Sequence, residues 1–317
     1  MLNFLRRHLD ELMTGSFLCL VLVLVLVYDA DFATPGGLAL AHWVIGSFAL
    51  FVALLLIAVR FTPGARSPLR VVVEIGPMVV AVLAYVSLKL YNASGITNWL
   101  GISSKDQWMM SADVALFGKT PYLWFSQWGL DSRFFIQVMS TFYGLYPFTP
   151  IIVLSWFMYK GDMEQLRLMR RTLLISFYCG YCFYILFPVS GPLSLATPAK
   201  PLFIESTLTY TFLMGNFRFA TDCFPSLHTA NPWLMAWLCR GKLPRWLMAV
   251  AFIVCLGITL STIALRFHYG VDDIAGFIWI FPISLLARAS LPREKAELPS
   301  APRRTTLLKD QSQGMAT

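Results

Sequence analysis

The sequence predicts an all-α, polytopic membrane protein with about eight transmembrane helices. Three observations point there. Of 317 residues, 57% are hydrophobic and 13% are charged, against roughly 25% charged in a typical soluble domain. The apolar residues gather in runs long enough to cross a hydrocarbon core of about 30 Å at about 1.5 Å per helical residue. Short basic clusters separate those runs. In such a chain a net charge of +8 speaks of membrane orientation, and nucleic acid is not an expected partner.

The runs can be taken in order. The first, near 12–29, follows LRRHLDEL. It is read as a retained anchor and not a signal peptide, because seven more runs follow and no small-residue cleavage site does. The others lie near 40–59, 71–91, 135–158, 172–188, 224–239, 246–265 and 271–291. With a cytoplasmic N-terminus, the inside segments are 1–11, 60–70, 159–171, 240–245 and the tail from 288. They hold 18 of the 25 Lys and Arg residues, so every short inside connection is basic and both termini are expected inside. Glu74 and Lys89 lie near span ends and are expected to snorkel.

Two long outside segments remain, about 92–134 and 189–223. The first contains WLGISSKDQWMM and PYLWFSQWGL. Their Trp residues suit the membrane–water interface and predict two short interfacial helices in preference to a lid over a substrate. The chain divides into N-terminal transmembrane helices (1–109), a catalytic membrane domain (110–292) and a polar, disordered cytoplasmic tail (293–317). There is no internal repeat. Cys19, Cys179, Cys182, Cys239 and Cys255 fall in spans. The CxxC spacing of Cys179 and Cys182 lies inside an apolar helix and predicts packing, not metal or redox chemistry. Cys223 alone faces outside, so no intrachain disulfide is expected.

Four histidines stand in the chain: His8, His42, His228 and His268. His8 belongs to the cytoplasmic N-terminus and His42 opens the second run. His228, in TDCFPSLHTANP, and His268, in LRFHYGVDDIAG, arrive at the same outer face from distant positions. Polar groups beside apolar segments are costly unless used or paired. Asp272 follows His268 by four residues, which places carboxylate and imidazole on one face of a helix start. A carboxylate that accepts from one ring nitrogen fixes the tautomer and leaves the other free to attack. His228 supplies a second imidazole suited to protonating a leaving oxygen. Arg266 and Arg218 supply forked donors for an anionic group. Together these residues suggest phosphoryl transfer through a phosphohistidine. Two His and one Asp form a weaker case for zinc, since neither histidine belongs to a tight pair such as HxxxH. The scarcity of charges within the runs argues against a non-catalytic transporter.

FPSLH at 224–228, followed forty residues later by HYGVD at 268–272, resembles the type-2 phosphatidic acid phosphatase superfamily. Within it, FPSLH looks like the branch of fungal inositol phosphorylceramide synthases, sphingomyelin synthases and their bacterial relatives. LFPVSGP at 186–192 resembles the preceding Pro/Gly motif, and DVALFGKTP at 113–121 is similar to a weaker one upstream. The resemblance covers roughly 110–290. It implies that His268 is the nucleophile, that Asp272 orients it, that His228 is the acid, and that Ser226 and nearby backbone amides touch the phosphate. It also implies a helical core and no metal or other cofactor. The partners it implies are the bilayer, a membrane phospholipid, and a lipid alcohol or water as acceptor. The active site would be extracytoplasmic, periplasmic in a bacterium and lumenal in a eukaryote. This chain lacks the family's lysine-containing first motif. Thr262 and Ile263 stand where the family has a Ser-Arg pair. Those departures favour a transferase that moves an inositol-phosphate-like headgroup over a phosphatase of lipid or polyprenyl phosphates.

Overall fold

The computed structural model describes residues 8–28, 46, 49–53, 68–90, 100–130, 132–194 and 221–291. Most of the second expected run, His42, Arg218 and the tail from 293 lie outside the described residues. The helices are α1 (Leu9–Tyr28), α2 (Pro68–Leu90), α3 (Asp106–Phe117), α4 (Tyr122–Gln127), α5 (Arg133–Leu145), α6 (Thr149–Lys160), α7 (Met163–Leu186), α8 (Leu227–Leu238), α9 (Arg245–Ala264) and α10 (Gly270–Ser290). The only extended pairing among the described residues is a parallel bridge between Val189 and Asp222.

Local chemistry sets the helix ends. The Ser132 hydroxyl accepts from the Phe135 N–H and caps α5, and the Asp162 carboxylate accepts from the Gln165 N–H and caps α7, each satisfying a donor left over in a first turn. The run expected as one span at 135–158 is α5 and α6 joined by a 3-10 turn over Tyr146–Phe148. Pro147 and Pro150 withhold N–H donors there. Two short helices, α3 and α4, occupy the first of the two long segments expected outside.

Among the described residues, three helical stretches are long and apolar enough to cross a membrane: Arg133–Lys160, Arg245–Ala264 and Gly270–Ser290. Their outward faces carry Phe252 and Ile253 on α9 and Ile278, Phe281 and Leu285 on α10, all exposed. So large an apolar surface marks contact with lipid. The run expected as a full span at 224–239 proves shorter. Residues 221–226 are not helical, and α8 has only 12 residues, about 18 Å of rise. It is a short central helix packed against α6, α7, α9 and α10.

The 159–171 segment also differs from the expected inside loop. α7 begins at Met163, and Arg170 and Arg171 are buried within the bundle. The Arg170 guanidinium donates to Asp10 Oδ2 of α1 at 2.7 Å and to Glu74 of α2. Arg171 donates to Asp10 Oδ1 at 2.6 Å and to the Ser290 carbonyl of α10 at 3.0 Å. Arg167 pairs with Glu74 at 3.3 Å. Glu74 is therefore a buried ion-pair partner and does not snorkel; the Lys89 side chain lies outside the described residues. The physical reason is low dielectric: a carboxylate and a guanidinium there are each tolerable only when they meet. The network ties α1, α2, α7 and α10 together at one end of the bundle. The histidines lie at the other end, since α7 rises about 24 Å between Arg170 and Leu186.

Arg170→Ala would leave Asp10 and Glu74 without their shared cation. Its expected cost is about 3–5 kcal/mol, as for other broken buried pairs. Thermal unfolding in detergent should show a marked fall in Tm for this variant. Arg167→Ala, at an exposed guanidinium, should change Tm little.

Candidate active site

His268 sits in the turn between α9 and α10. The end of α9 unwinds there: the Phe267 and His268 N–H groups both donate to the Thr262 carbonyl, at 2.9 and 3.1 Å. Arg266 takes a left-handed conformation with φ +62°. The His268 ring is buried, with Nδ1 2.9 Å from the Cys223 carbonyl. A carbonyl only accepts, so Nδ1 carries the hydrogen and Nε2 presents the lone pair. Asp272 Oδ2 lies 3.6 Å from Nδ1 and accepts the Tyr269 N–H at 2.9 Å. The carbonyl is thus the nearer partner of the ring, and Asp272 adds charge beside it.

His228 lies in the first turn of α8. Its ring is stacked on Tyr143, with centroids 4.6 Å apart, and contacts Tyr146 at 4.2 Å. The His228 and His268 centroids are 5.5 Å apart, so the fold brings together two imidazoles that are forty residues apart in sequence. Ser226 is fully buried. Its hydroxyl accepts the Thr229 N–H at 3.3 Å and caps α8, and its own N–H donates to the Asp272 carbonyl at 3.2 Å. Arg266 is buried, with Nη2 3.5 Å from Ser126 Oγ and its guanidinium over the Tyr122 ring at 5.4 Å. Arg218 falls outside the described residues.

A set of carboxylates supports this pair. Asp273 accepts from Thr229 Oγ1 at 2.6 Å and from Thr262 Oγ1 at 2.9 Å, joining α8, α9 and α10. Asp113 of α3 accepts the Gly270 and Val271 N–H groups at 3.1 and 2.9 Å. It thereby caps the helix that follows His268, where a negative charge also suits the helix dipole. Asp106 accepts the Gly191 N–H at 2.9 Å, the Ser190 N–H at 3.0 Å and the Tyr269 hydroxyl at 3.1 Å. Gly191 has φ +82°, and a Cβ there would fall 2.0 Å from the Phe267 carbonyl oxygen, so only glycine fits against this backbone. Of these residues, Asp106, Asp222, Asp273, Tyr143 and Tyr146 were not singled out by the sequence. Asp113 was quoted only within its motif. The available signal was a carboxylate in apolar surroundings.

Beside His228 lies a cavity of about 420 Å³. Its lining includes Asp222, Tyr85 and Tyr184, and Ile75, Met78 and Ile151. Among the described residues, no group of three or more His, Cys, Asp or Glu side chains is arranged to hold a metal ion.

Two imidazoles with centroids 5.5 Å apart thus lie among the helices, next to a largely apolar cavity. The PAP2 superfamily model matches residues 107–286, more than half of the chain, and the protein belongs to that superfamily. Its members are phosphatases and phosphotransferases acting on phosphate-containing lipids. No curated protein and no solved structure matches the chain.

Burial opposes protonation of His268, but Asp272, Asp273 and Asp222 outweigh it and raise its pKa above the ordinary 6.5. A protonated imidazole has no lone pair to attack with, so activity should be lost as pH falls through this raised value. Stability should move the opposite way, present in full below 6.5 and lost as pH rises through the folded value. The pH profile of kcat/KM should therefore show its acidic limb above 6.5. Asp273→Asn should shift that limb to lower pH.

Proposed function

We propose that the protein is a lipid phosphotransferase that moves a phospho-headgroup between lipids through a phosphohistidine on His268, at the extracytoplasmic face. The observation that carries this reading is the His268 ring: Nδ1 held on the Cys223 carbonyl at 2.9 Å, with the His228 centroid 5.5 Å away. In the first step the His268 Nε2 lone pair forms the N–P bond while the bond from phosphorus to the donor lipid's oxygen breaks. His228, as imidazolium, gives its proton to that oxygen. In the second step neutral His228 takes the proton of an acceptor hydroxyl. The acceptor oxygen then bonds to phosphorus, and the N–P bond returns its electron pair to Nε2. The phosphorylated imidazole is cationic while Nδ1 keeps its hydrogen, and the Cys223 carbonyl, Asp272 and Asp273 favour that charge. Arg266 is assigned to the phosphate oxygens.

The branch resemblance in FPSLH and the cavity beside His228 support a lipid alcohol as acceptor. Water meeting the same intermediate would make the protein a lipid or polyprenyl phosphate phosphatase. The basic segments support the orientation, since the end of the bundle opposite the histidines carries Arg167, Arg170 and Arg171.

Phosphate labelling tests the roles. Under alkaline trapping, where phosphohistidine survives, wild type should be labelled and His268→Ala should not. His228→Ala should lose turnover by roughly 10²–10⁴-fold, as for a missing general acid. An aryl phosphate, whose leaving group needs less protonation, should restore its labelling. A labelled His268→Ala protein, or an acid-stable label in wild type, would count against these roles. Orientation is checked separately by a cysteine placed at residue 200. It should react with an impermeant thiol reagent from outside intact cells, whereas one at 165 should be protected.

A further inference from the structure

The two imidazoles of the site are held by different means. A main-chain carbonyl directs His268. At His228 two tyrosine rings stand against the imidazole. Tyr143 is stacked on it, with centroids 4.6 Å apart and planes inclined by 21°. Tyr146 lies at 4.2 Å, with planes inclined by 41°. Separations of this order are direct ring contact. Residues three apart share one face of a helix, and Tyr143 and Tyr146 have that spacing at the end of α5. Tyr146 keeps helical backbone angles, φ −50° and ψ −53°, before the 3-10 turn over Tyr146–Phe148 takes the chain away. The break in the long apolar run thus falls where both rings meet His228.

Each ring is braced in turn. Tyr143 is buried and packs against Phe267, the neighbour of His268, with centroids 4.8 Å apart. The Tyr146 hydroxyl accepts from Asn231 Nδ2 at 3.2 Å. Asn231 Oδ1 accepts from Ser176 Oγ at 2.6 Å, and Ser176 Oγ accepts from the Trp279 indole N–H at 3.1 Å. Asn231 and Ser176 are fully buried. This polar chain joins α7, α8 and α10 and ends on a ring that touches His228. A buried polar chain whose members find partners makes its surroundings rigid.

We infer that Tyr143 and Tyr146 are positioning residues for His228: their rings fix the direction in which its imidazole delivers a proton to the oxygen that leaves phosphorus. The inference rests on the proposed phosphotransfer and on His228 as its acid. A general acid must come within about 2.6–3.2 Å of the atom it protonates. An imidazole free to turn about its side-chain bonds is aimed elsewhere for part of the time. The tyrosines make and break no bond. The proton passes from His228 to the departing oxygen as the N–P bond to His268 forms.

Both tyrosines also line the cavity, so contact with the bound lipid is the competing role. The leaving group separates the two. Loss of acid positioning harms an ester whose alkoxide departs poorly and spares one whose phenoxide departs well. Loss of a lipid contact harms both alike when they carry the same tail.

The test uses the full chain in nonionic detergent with two esters, dodecyl phosphate and para-dodecylphenyl phosphate, and follows turnover and His268 labelling. On dodecyl phosphate, Tyr143→Leu and Tyr146→Leu should each lose about tenfold or more in kcat, as small misplacements of a reacting group do. On the aryl ester the loss should stay within about threefold. Tyr143→Phe and Tyr146→Phe keep the rings and should recover most of the loss. A second measurement needs no turnover. In protein carrying isotope-labelled histidine, the His228 ring signal, assigned by its absence in His228→Ala, should show the NMR shift that a facing aromatic ring imposes. The Leu variants should remove that shift and the Phe variants keep it. Equal losses on both esters, no loss in the Leu variants, or a wild-type His228 signal without the shift would overturn the inference. The last of these decides even if the Leu variants do not fold. His228→Ala losing both esters equally would fault the acid reading on which the inference rests, whereas a missing ring shift faults the stacking itself.

Discussion

The bond from His268 Nδ1 to the Cys223 carbonyl is the interaction on which the rest of the site depends. An imidazole is useful as a nucleophile only when its tautomer and direction are fixed. Here a backbone carbonyl fixes both, so the geometry is as good as the placement of residue 223. That placement is heavily determined. The Cys223 N–H donates to the Val189 carbonyl at 3.1 Å, and its thiol donates to the Phe267 carbonyl at 3.1 Å. The Gly191 Cα approaches the same Phe267 carbonyl, and Asp106 holds the Ser190 and Gly191 amides. Three segments distant in sequence, 187–194, 221–226 and 265–269, thus close on one another through main-chain contacts. Side chains from α3 brace them.

This construction answers a difficulty that every intramembrane site meets. Loops at the end of a bundle have no ladder of their own, and unsatisfied N–H and C=O groups near lipid are expensive. Asp106 and Asp113, which accept two N–H groups each, resolve it locally. Other carboxylates of the same end, Asp272, Asp273 and Asp222, raise the proton affinity of His268. At the opposite end, Asp10 and Glu74 meet guanidinium groups and become pairs. The two ends show one physical rule with two outcomes: acid paired with base where helices must be held, and acid paired with backbone where an imidazole must be tuned.

Much of this was legible in the sequence, and the limits have physical causes. Apolar runs of about twenty residues announced the helices α1, α2, α9 and α10, of which α9 and α10 are long and apolar enough to cross a membrane. The two histidines and Asp272 were legible because titratable side chains beside apolar runs are rarely idle. α8 was overextended because hydropathy is blind to a cap: Ser226 starts the helix late, and Phe224 and Pro225 are apolar without being helical. Arg170 and Arg171 were read as loop residues because a basic residue looks alike whether it faces water or a buried carboxylate 160 positions away. The Cys223 carbonyl left no trace at all, since main-chain acceptors are the same at every residue. Asp113 and Asp106 stood in quoted segments, yet their donors are N–H groups at 270–271 and 190–191, and no spacing rule links them.

The arrangement also bears on why a covalent route suits this site. A metal-free in-line attack by water would require cations to gather the charge of the transition state. Near His268 the described side chains are mainly carboxylates, and Arg266 is the guanidinium in the turn that carries it. An imidazole nucleophile changes the balance. In the proposed route positive charge develops on the ring as Nε2 bonds to phosphorus, among Asp272, Asp273 and the Cys223 carbonyl. Those surroundings would favour the cationic phosphoimidazole. In that route the acids would stabilise what forms only during reaction, which is where stabilisation raises the rate.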